Sequence, residues 1–358
     1  MAGPLTPWQP GLVLATPRAP NARGFLDRRG LIHAHSIYSH DACDGAPVDD
    51  AGVRDDVCLQ DFRRGLCQSR HDFVFLTDHR DAFTDTEFPE ALLYRTQHGD
   101  QLITRDGAPV ANRAFCDNGN HAIIMAGCEG SLMPVGLTRH AAATPQERGR
   151  LYSSTEAQDM LLLKTAGAVV LAQHTEDWTV EQLSTLPFDG FEMFNVHANM
   201  VKNAGTALEL LVALNDRPES LPHPDLALLP IVTEDPVYLS AWGSVLAGGA
   251  RRVTTMGTDC HRNTFRQPMA DGERVDSYRR MMISFSNHLL VTPQADGLVT
   301  DVELRQALAA GRLFGVFEYL GFPTGFDFRA EAGGAVHEMG AAVGLGAQLR
   351  LTMPAVLD

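Results

Sequence analysis

Five short apolar runs in this chain each end on imidazoles or carboxylates, and that arrangement constrains the fold more than any other feature. Leu31-Ile32 leads into His33 and His35. Phe73 to Leu76 closes on Thr77-Asp78-His79, and Ile123 to Ala126 leads to Glu129. Val169 to Leu171 leads to His174, and Arg252 to Met256 leads to Asp259 and His261. Short runs of apolar or β-branched residues that end on polar ones predict buried strands. Helical spacing recurs between them. Leu59, Phe62 and Leu66 predict a helix over 56–69. Ser153 and Glu156 read as a capping box before a helix over 157–166, ended by Gly167, and Thr300 and Glu303 read as a second box. Strand and helix alternate from 31 to 317, which argues for an α/β architecture with a largely parallel sheet.

Three segments break the alternation. Residues 1–29, rich in Pro and Gly, read as an irregular leader, and 80–119 as a long polar loop. After Tyr319 the pattern turns to period-two alternation with many glycines, over Phe326 to Arg329 and Gln348 to Met353. Residues 320–358 therefore read as a short C-terminal β extension, or as the start of a further β domain, beyond a main domain over 30–319.

Composition excludes several classes. The chain has 358 residues and no apolar run approaching the ~18 that a membrane helix needs. Its net charge is −15, which disfavours a nucleic-acid surface, since that needs clustered Lys and Arg. Leu12 to Leu14 is too short for a signal-peptide core, so the default location is cytoplasmic, or exported if an upstream leader has been removed. Six cysteines in so long a chain do not suggest a disulfide scaffold. Cys58 and Cys67 lie nine residues apart on one expected helix, about 13 Å, too far for a bridge. No CxxC occurs, and nothing in the sequence sets an oligomeric state.

Imidazole and carboxylate are the side chains that hold divalent transition metals, and strand ends are where α/β barrels build their sites. In a strand, residues i and i+2 face one side, so His33 and His35 can reach one ion, as can Asp259 and His261. Cys260 and Cys128 then face away, as small buried hydrophobes.

The ordered set His33-Ala-His35-Ser36, Thr77-Asp78-His79, Gly127-Cys-Glu129, His174 and Gly257-Thr-Asp259-Cys-His261 resembles the PHP family, named for polymerase and histidinol phosphatase. The resemblance spans about residues 31–262. It implies a distorted (β/α)7 barrel holding two or three divalent metals, Zn, Mn or Fe, and a phosphoesterase activity. Carried over, His33, His35 and Asp259 hold one metal. Glu129 bridges it to a second, held by His140 and His174. His79, His261 and a residue of the pair His40-Asp41 hold the third. His40 is preferred over Asp41 because it follows Ser39, and His140 is placed by its spacing from Glu129.

On this reading Glu129 and Asp259 are the catalytic carboxylates, holding the metals that activate a bridging water. The substrate is a small anion, a phosphate mono- or diester, with Arg80, His197 and Arg262 as substrate-binding candidates and Asp78 orienting a ligand. Two other functions compete. One is a related hydrolase of a carboxylic ester, carbamate or amide. The other is a metal-binding module without catalysis. The wider amidohydrolase superfamily also begins with HxH but uses a mid-barrel bridging Lys, whereas Lys164 here falls inside an expected helix.

Overall fold

A computed structural model describes residues 9, 11–217, 219 and 223–354. The outermost parts of the expected leader and β extension lie outside the described residues.

Seven strands close on themselves. They are β1 (Leu26–Ala34), β2 (Phe73–Phe75), β5 (His121–Gly127), β6 (Met133–Leu137), β7 (Val169–Ala172), β8 (Gly190–Asn195) and β9 (Val253–Cys260), with β9 returning to β1. The contacts β1–β2, β2–β5, β7–β8, β8–β9 and β9–β1 are parallel. β6 runs antiparallel to both its neighbours. The result is a closed, seven-stranded mixed α/β barrel; the expected distorted (β/α)7 order is met only in part, because the strand directions are mixed. The turn between β5 and β6 is too short to carry a crossover helix, so β6 must reverse direction.

Strand parity divides the core. Ile32, Phe73, Phe75, Ile123, Met125, Val135, Val169 and Leu171 form one buried cluster, joined by Leu304, Ala307 and Leu308 of the helix Asp301–Ala309. The alternate residues Leu31, Val74 and Ile124 pack outward on Leu59, Phe62 and Leu66 of the helix Asp56–Gln68. Ala126, Val170 and Ala172 pack on Leu151, Met160 and Leu163. Each side is a continuous apolar layer, as period-two alternation requires when both faces are covered.

Several boundaries differ from the sequence reading. The expected leader already contains the first half of β1. There, Leu26 to Gly30 pairs antiparallel with β10 (Phe285–Val291), a strand without a clear sequence signal, and β10 pairs with β11 (Leu313–Phe317). The expected loop over 80–119 contains the hairpin β3 (Gln101–Arg105) and β4 (Ala108–Phe115), paired onto β5. Its turn is Asp106-Gly107, both with positive φ, the Asp-Gly signal of a tight hairpin. Ser153 does not cap the helix Ala157–Thr165. The box in that region is Thr144–Glu147, at the head of the helix Pro145–Tyr152. The Thr300–Glu303 box is present. After the barrel, β12 (Asp327–Ala332), β13 (Ala335–Glu338) and β14 (Gln348–Thr352) form an antiparallel sheet. Arg23 ties it to the chain before β1, through ion pairs with Asp327 and Glu338.

The cysteines correct the sequence expectation most sharply. Cys58 and Cys67 do not bridge each other, but each bridges elsewhere, Cys58 to Cys43 and Cys67 to Cys116. These partners are distant in sequence, so helical spacing within 56–69 could not reveal them. Cys128 and Cys260 are free and buried, as strand parity predicts. No helix among the described residues is long and apolar enough to cross a membrane.

The Cys67–Cys116 bridge spans 49 residues and pins the hairpin to the helix before β2. In a chain-entropy estimate a loop of that length is worth about 4 kcal/mol. Cys67→Ser is expected to lower unfolding free energy by roughly 2–4 kcal/mol in urea, and an unchanged midpoint would contradict that.

Candidate metal centre

The donors gather where β1, β2, β5, β7 and β9 end. Glu129 continues the inward parity of Ile123 and Met125, and His79 that of Phe73 and Phe75. Two donor groups form around a shared imidazole. His33, His35, Glu129 and Asp259 make one, and His35, Asp41, His79 and His261 the other, with the donor atoms of each within 4.8 Å of one another. His33 Nε2 lies 3.3 Å from both Glu129 Oε1 and Asp259 Oδ1. His35 Nε2 lies 3.2 Å from Glu129 Oε2 and 3.3 Å from Asp259 Oδ1. His79 and His261 approach Asp41 Oδ2 at 3.3 and 3.2 Å. His174 Nε2 approaches Glu129 Oε1 at 3.2 Å.

The second nitrogens of the buried imidazoles are already engaged. His33 Nδ1 meets Glu192 Oε1 at 2.7 Å, His35 Nδ1 meets Ser39 Oγ at 2.7 Å, and His261 Nδ1 meets the carbonyl of Asp259 at 2.9 Å. Engaging Nδ1 in this way sets the ring orientation and aims Nε2 at the cluster, as in metal-ligating histidines. The Nε2 atoms of His33, His35 and His261, with Asp259 Oδ1 and Asp41 Oδ1, are buried and have no directed hydrogen bond. Buried polar atoms are almost always satisfied. Five unsatisfied ones on converging side chains fit divalent cations.

The electrostatics agree. Burial opposes ionisation of Glu129, yet His33, His174 and His35 hold its carboxyl well below the usual range. Burial opposes ionisation of Asp259 too, and His33, His197 and His261 hold it down. Against burial, His79 and His261 bring Asp41 to about 2. Conversely, despite burial, Asp259 and Glu129 raise His35 to about 9, while Glu129 and Glu176 raise His174 to about 10. His261 goes the other way, to about 4, because burial and the positive charge of His35, stacked on it at 3.8 Å, disfavour a second proton. The cluster demands positive charge, and either protons or metal ions supply it.

The other expected site residues fall in different places. His40 is not in the cluster: its side chain is 59% exposed and meets Asp81 at 3.0 Å, while its neighbour Asp41 turns inward. His140 also stays out, its nitrogens engaged by the carbonyl of Thr86 at 2.9 Å and the hydroxyl of Tyr152 at 3.1 Å. Asp78 touches no ligand imidazole. It accepts the backbone N–H and hydroxyl of Ser36, locking the turn after His35. His197 is half-exposed and lies 3.5 Å from Asp259 Oδ2. Arg80 donates to Ser153 at 2.7 Å, away from the cluster. Arg262 lines a cavity of about 420 Å³ beside Asp259 and His261, with His197, Asn263 and Thr264. Its Nε stands 3.3 Å from Asp61.

Glu192 lies outside the ligand motifs and yet supports the cluster. Fully buried on β8, it holds His33 through Oε1 and accepts the backbone N–H of His174 and the amide of Asn195 through Oε2. Gly257 makes room for it, since a Cβ there would lie 2.0 Å from Glu192 Oε1. A Glu in a strand followed three residues later by Asn195, another polar side chain at a barrel mouth, was the available signal.

No protein-family model and no curated protein matches this chain. Among solved structures, it is similar to a two-domain protein from Bacteroides vulgatus ATCC 8482 containing a predicted PHP-like metal-dependent phosphoesterase. Identity is 13% and the TM-score 0.41, over 86% of this chain and 69% of that one. It is also similar to PsfC from Pseudomonas syringae PB-5123, at 13% identity and a TM-score of 0.44, over 81% of this chain and 91% of that one. Likeness at this level says nothing of the chemistry of this chain.

The geometry separates Asp41 from His40. Asp41→Asn is expected to lose at least one metal equivalent per chain by elemental analysis, and His40→Ala none. The reverse ranking would show that the loop carries His40 inward instead.

Proposed function

We propose that this chain is a metal-dependent hydrolase acting on a small phosphate ester. The observation that carries the reading is the set of buried, unsatisfied Nε2 and carboxylate atoms converging at one barrel mouth. The motif resemblance given above supports it. His33, His35, Glu129 and Asp259 would hold one divalent ion and Asp41, His79 and His261 a second; His35 would serve only one of them, because Ser39 takes its Nδ1 and Nε2 alone is left. His174 approaches Glu129 from the open side, where a third ion would find a ligand.

When bound, such ions act as Lewis acids and bring a water toward deprotonation near neutral pH. The chain's own residues do the rest. Glu129, with Oε1 toward His33 and Oε2 toward His35 and His79, would offset the charge of cations held on either side of it. Glu192 keeps His33 in one orientation. Arg262 offers a guanidinium to non-bridging phosphate oxygens, a planar donor suited to a tetrahedral oxyanion. It is favoured over Arg80 because it lines the cavity beside Asp259.

A carbonyl-directed hydrolase built on the same ions is the second reading. The apolar side chains Val196, Met200 and Met281 in the cavity wall favour it, since an ester or amide substrate has an uncharged body to bury. The two disulfides support an oxidising compartment over the cytoplasmic default, because such bridges persist there and are rare in reducing ones.

At least two transition metals per chain are expected, with p-nitrophenyl phosphate turnover lost on chelation and restored by Zn²⁺ or Mn²⁺. Glu129→Gln keeps shape and removes charge. It should lose metal and at least ~10²-fold in activity, as disrupted ligation does elsewhere. Arg262→Ala should lower kcat/KM for phosphate esters by roughly 10- to 100-fold, equivalent to ~1.5–3 kcal/mol for a charged hydrogen bond. If Arg262→Ala is silent and aryl esters turn over faster than phosphates, the second reading replaces the first.

A further inference from the structure

The opposite mouth of the barrel carries a cavity with the reverse electrostatics. It measures about 320 Å³ and is lined by Arg18, Arg28, Arg70, Arg113 and His121, with Asp72 the one carboxylate among them. β1, β2 and β5 run parallel, so their starts, near Arg28, Asp72 and His121, form one end of the barrel. Their ends carry the metal donors. From His121 to Glu129 the chain travels about 26 Å at ~3.3 Å per residue, so the two sites do not overlap.

Four guanidinium groups around one carboxylate are unexpected in a chain of net charge −15 with 44 acidic residues. Many of its other arginines find carboxylates, as Arg63 does with Asp100 and Arg274 with Asp44, and others such as Arg252 and Arg312 find backbone carbonyls. The four cavity arginines form no ion pair among the described residues. Arg28 donates only to the carbonyls of Pro17 and Asp27. Arg18, Arg70 and Arg113 make no side-chain hydrogen bond there, and Arg113 Nε is buried without a partner. Asp72 is already engaged, accepting the backbone N–H of Arg29 and the hydroxyl of Thr16 through Oδ2.

Arg70 adds a second anomaly. It follows the end of the helix Asp56–Gln68 with φ of 54°, a position where glycine is usual because a Cβ is strained in the left-handed region. An arginine there places one more cation on the cavity rim at a conformational cost.

We infer that this cavity is a binding site for a small oxyanion, a molecule with a phosphate or carboxylate head. Guanidinium forks match such heads in geometry and charge. The volume suits a small molecule, and Ile123, Val299 and Leu304 line the rest of the cavity with apolar surface for its body. The walls come from the chain before β1, the turn before β2, the β4–β5 turn and the segment before the helix Asp301–Ala309. An occupant therefore ties four segments together. Mutual repulsion among the arginines falls when it binds.

The test uses the metal-loaded protein and a double variant, Arg18→Ser with Arg70→Gly. Both side chains are exposed, and glycine in place of Arg70 relieves the backbone, so folding is not at risk. Inorganic phosphate and succinate are titrated into each protein by calorimetry, and melting is recorded with and without about 10 mM probe, a concentration that saturates a site of millimolar or tighter affinity. Wild type is expected to bind one more equivalent of at least one probe than the variant, or to bind it at least tenfold tighter. The variant without probe should melt at or above wild type, and its probe-induced rise in melting temperature should be smaller. A loss for phosphate alone assigns a phosphate head, and a loss for succinate alone a carboxylate head. Equal stoichiometry, affinity and melting shifts in both proteins for both probes would overturn the site. The outcome is independent of whether the metal centre hydrolyses phosphate esters, because neither substituted residue approaches it.

Discussion

Everything at the working end of this barrel depends on Glu129 and Asp259 being ionised where almost no water reaches them. A lone buried carboxylate would take up a proton rather than bear that cost. Here each faces several imidazoles at 3.2–3.8 Å, and the positive charge those rings can carry reverses the effect of burial. The same contacts explain why the rings cannot all behave alike. His35 gains a proton readily, while its stacked neighbour His261 resists one. A set of donors that can be protonated only in part retains unshared lone pairs. Lone pairs aimed at a common point are what a divalent ion requires. Protons and any bound metal would thus compete for one cluster, and metal occupancy would weaken as pH falls through the range in which the imidazoles charge.

The backbone is bent to serve that convergence. His33, His174, Asp259 and Arg262 all have positive φ without being glycine, and residues held in that region cluster at functional sites. At β1 the register with β9 slips between Ile32 and Ala34. The pairing of His33 with His35 is therefore not the simple strand alternation the HxH spacing suggests. Both rings still reach the cluster because the bulge turns His33 inward, and Glu192 then fixes its ring. The spacing rule and the structure bring the same two rings together, by different local geometry.

What the sequence made legible follows from how local each signal is. Strands such as β2, β5 and β7 announce themselves by apolar runs, and the donors at their ends are read directly from them. His40 against Asp41 could not be decided that way, because one residue of loop rotation exchanges which side chain points in. His140 was placed by spacing alone, but Thr86 and Tyr152, brought near by tertiary packing, take both its nitrogens. The reversed β6 is set by a short turn rather than by composition. The disulfides join residues 15 and 49 positions apart, beyond the reach of any helical or strand period.

The segment carrying Asp41 shows how a loop carboxylate is kept in place. A flexible loop would lose backbone entropy on ordering, roughly 1–2 kcal/mol per residue, so its position must be enforced. Cys43 N–H donates to the carbonyl of His261 and Asp44 N–H to that of Arg262. Asn263 donates to the carbonyl of Asp41, Arg274 grips Asp44 with two bonds of 2.8 Å, and Cys43 is covalently joined to Cys58. The loop is thus stitched to the end of β9, the same stretch that delivers His261 to the cluster and Arg262 to the cavity. Candidate metal donors and the arginine that lines the cavity therefore share one scaffold. A substitution that shifts this stretch moves both, so effects at Asp41, His261 and Arg262 should be coupled rather than additive. Metal content must then be measured alongside kinetics before a loss at any one of them is assigned to substrate binding.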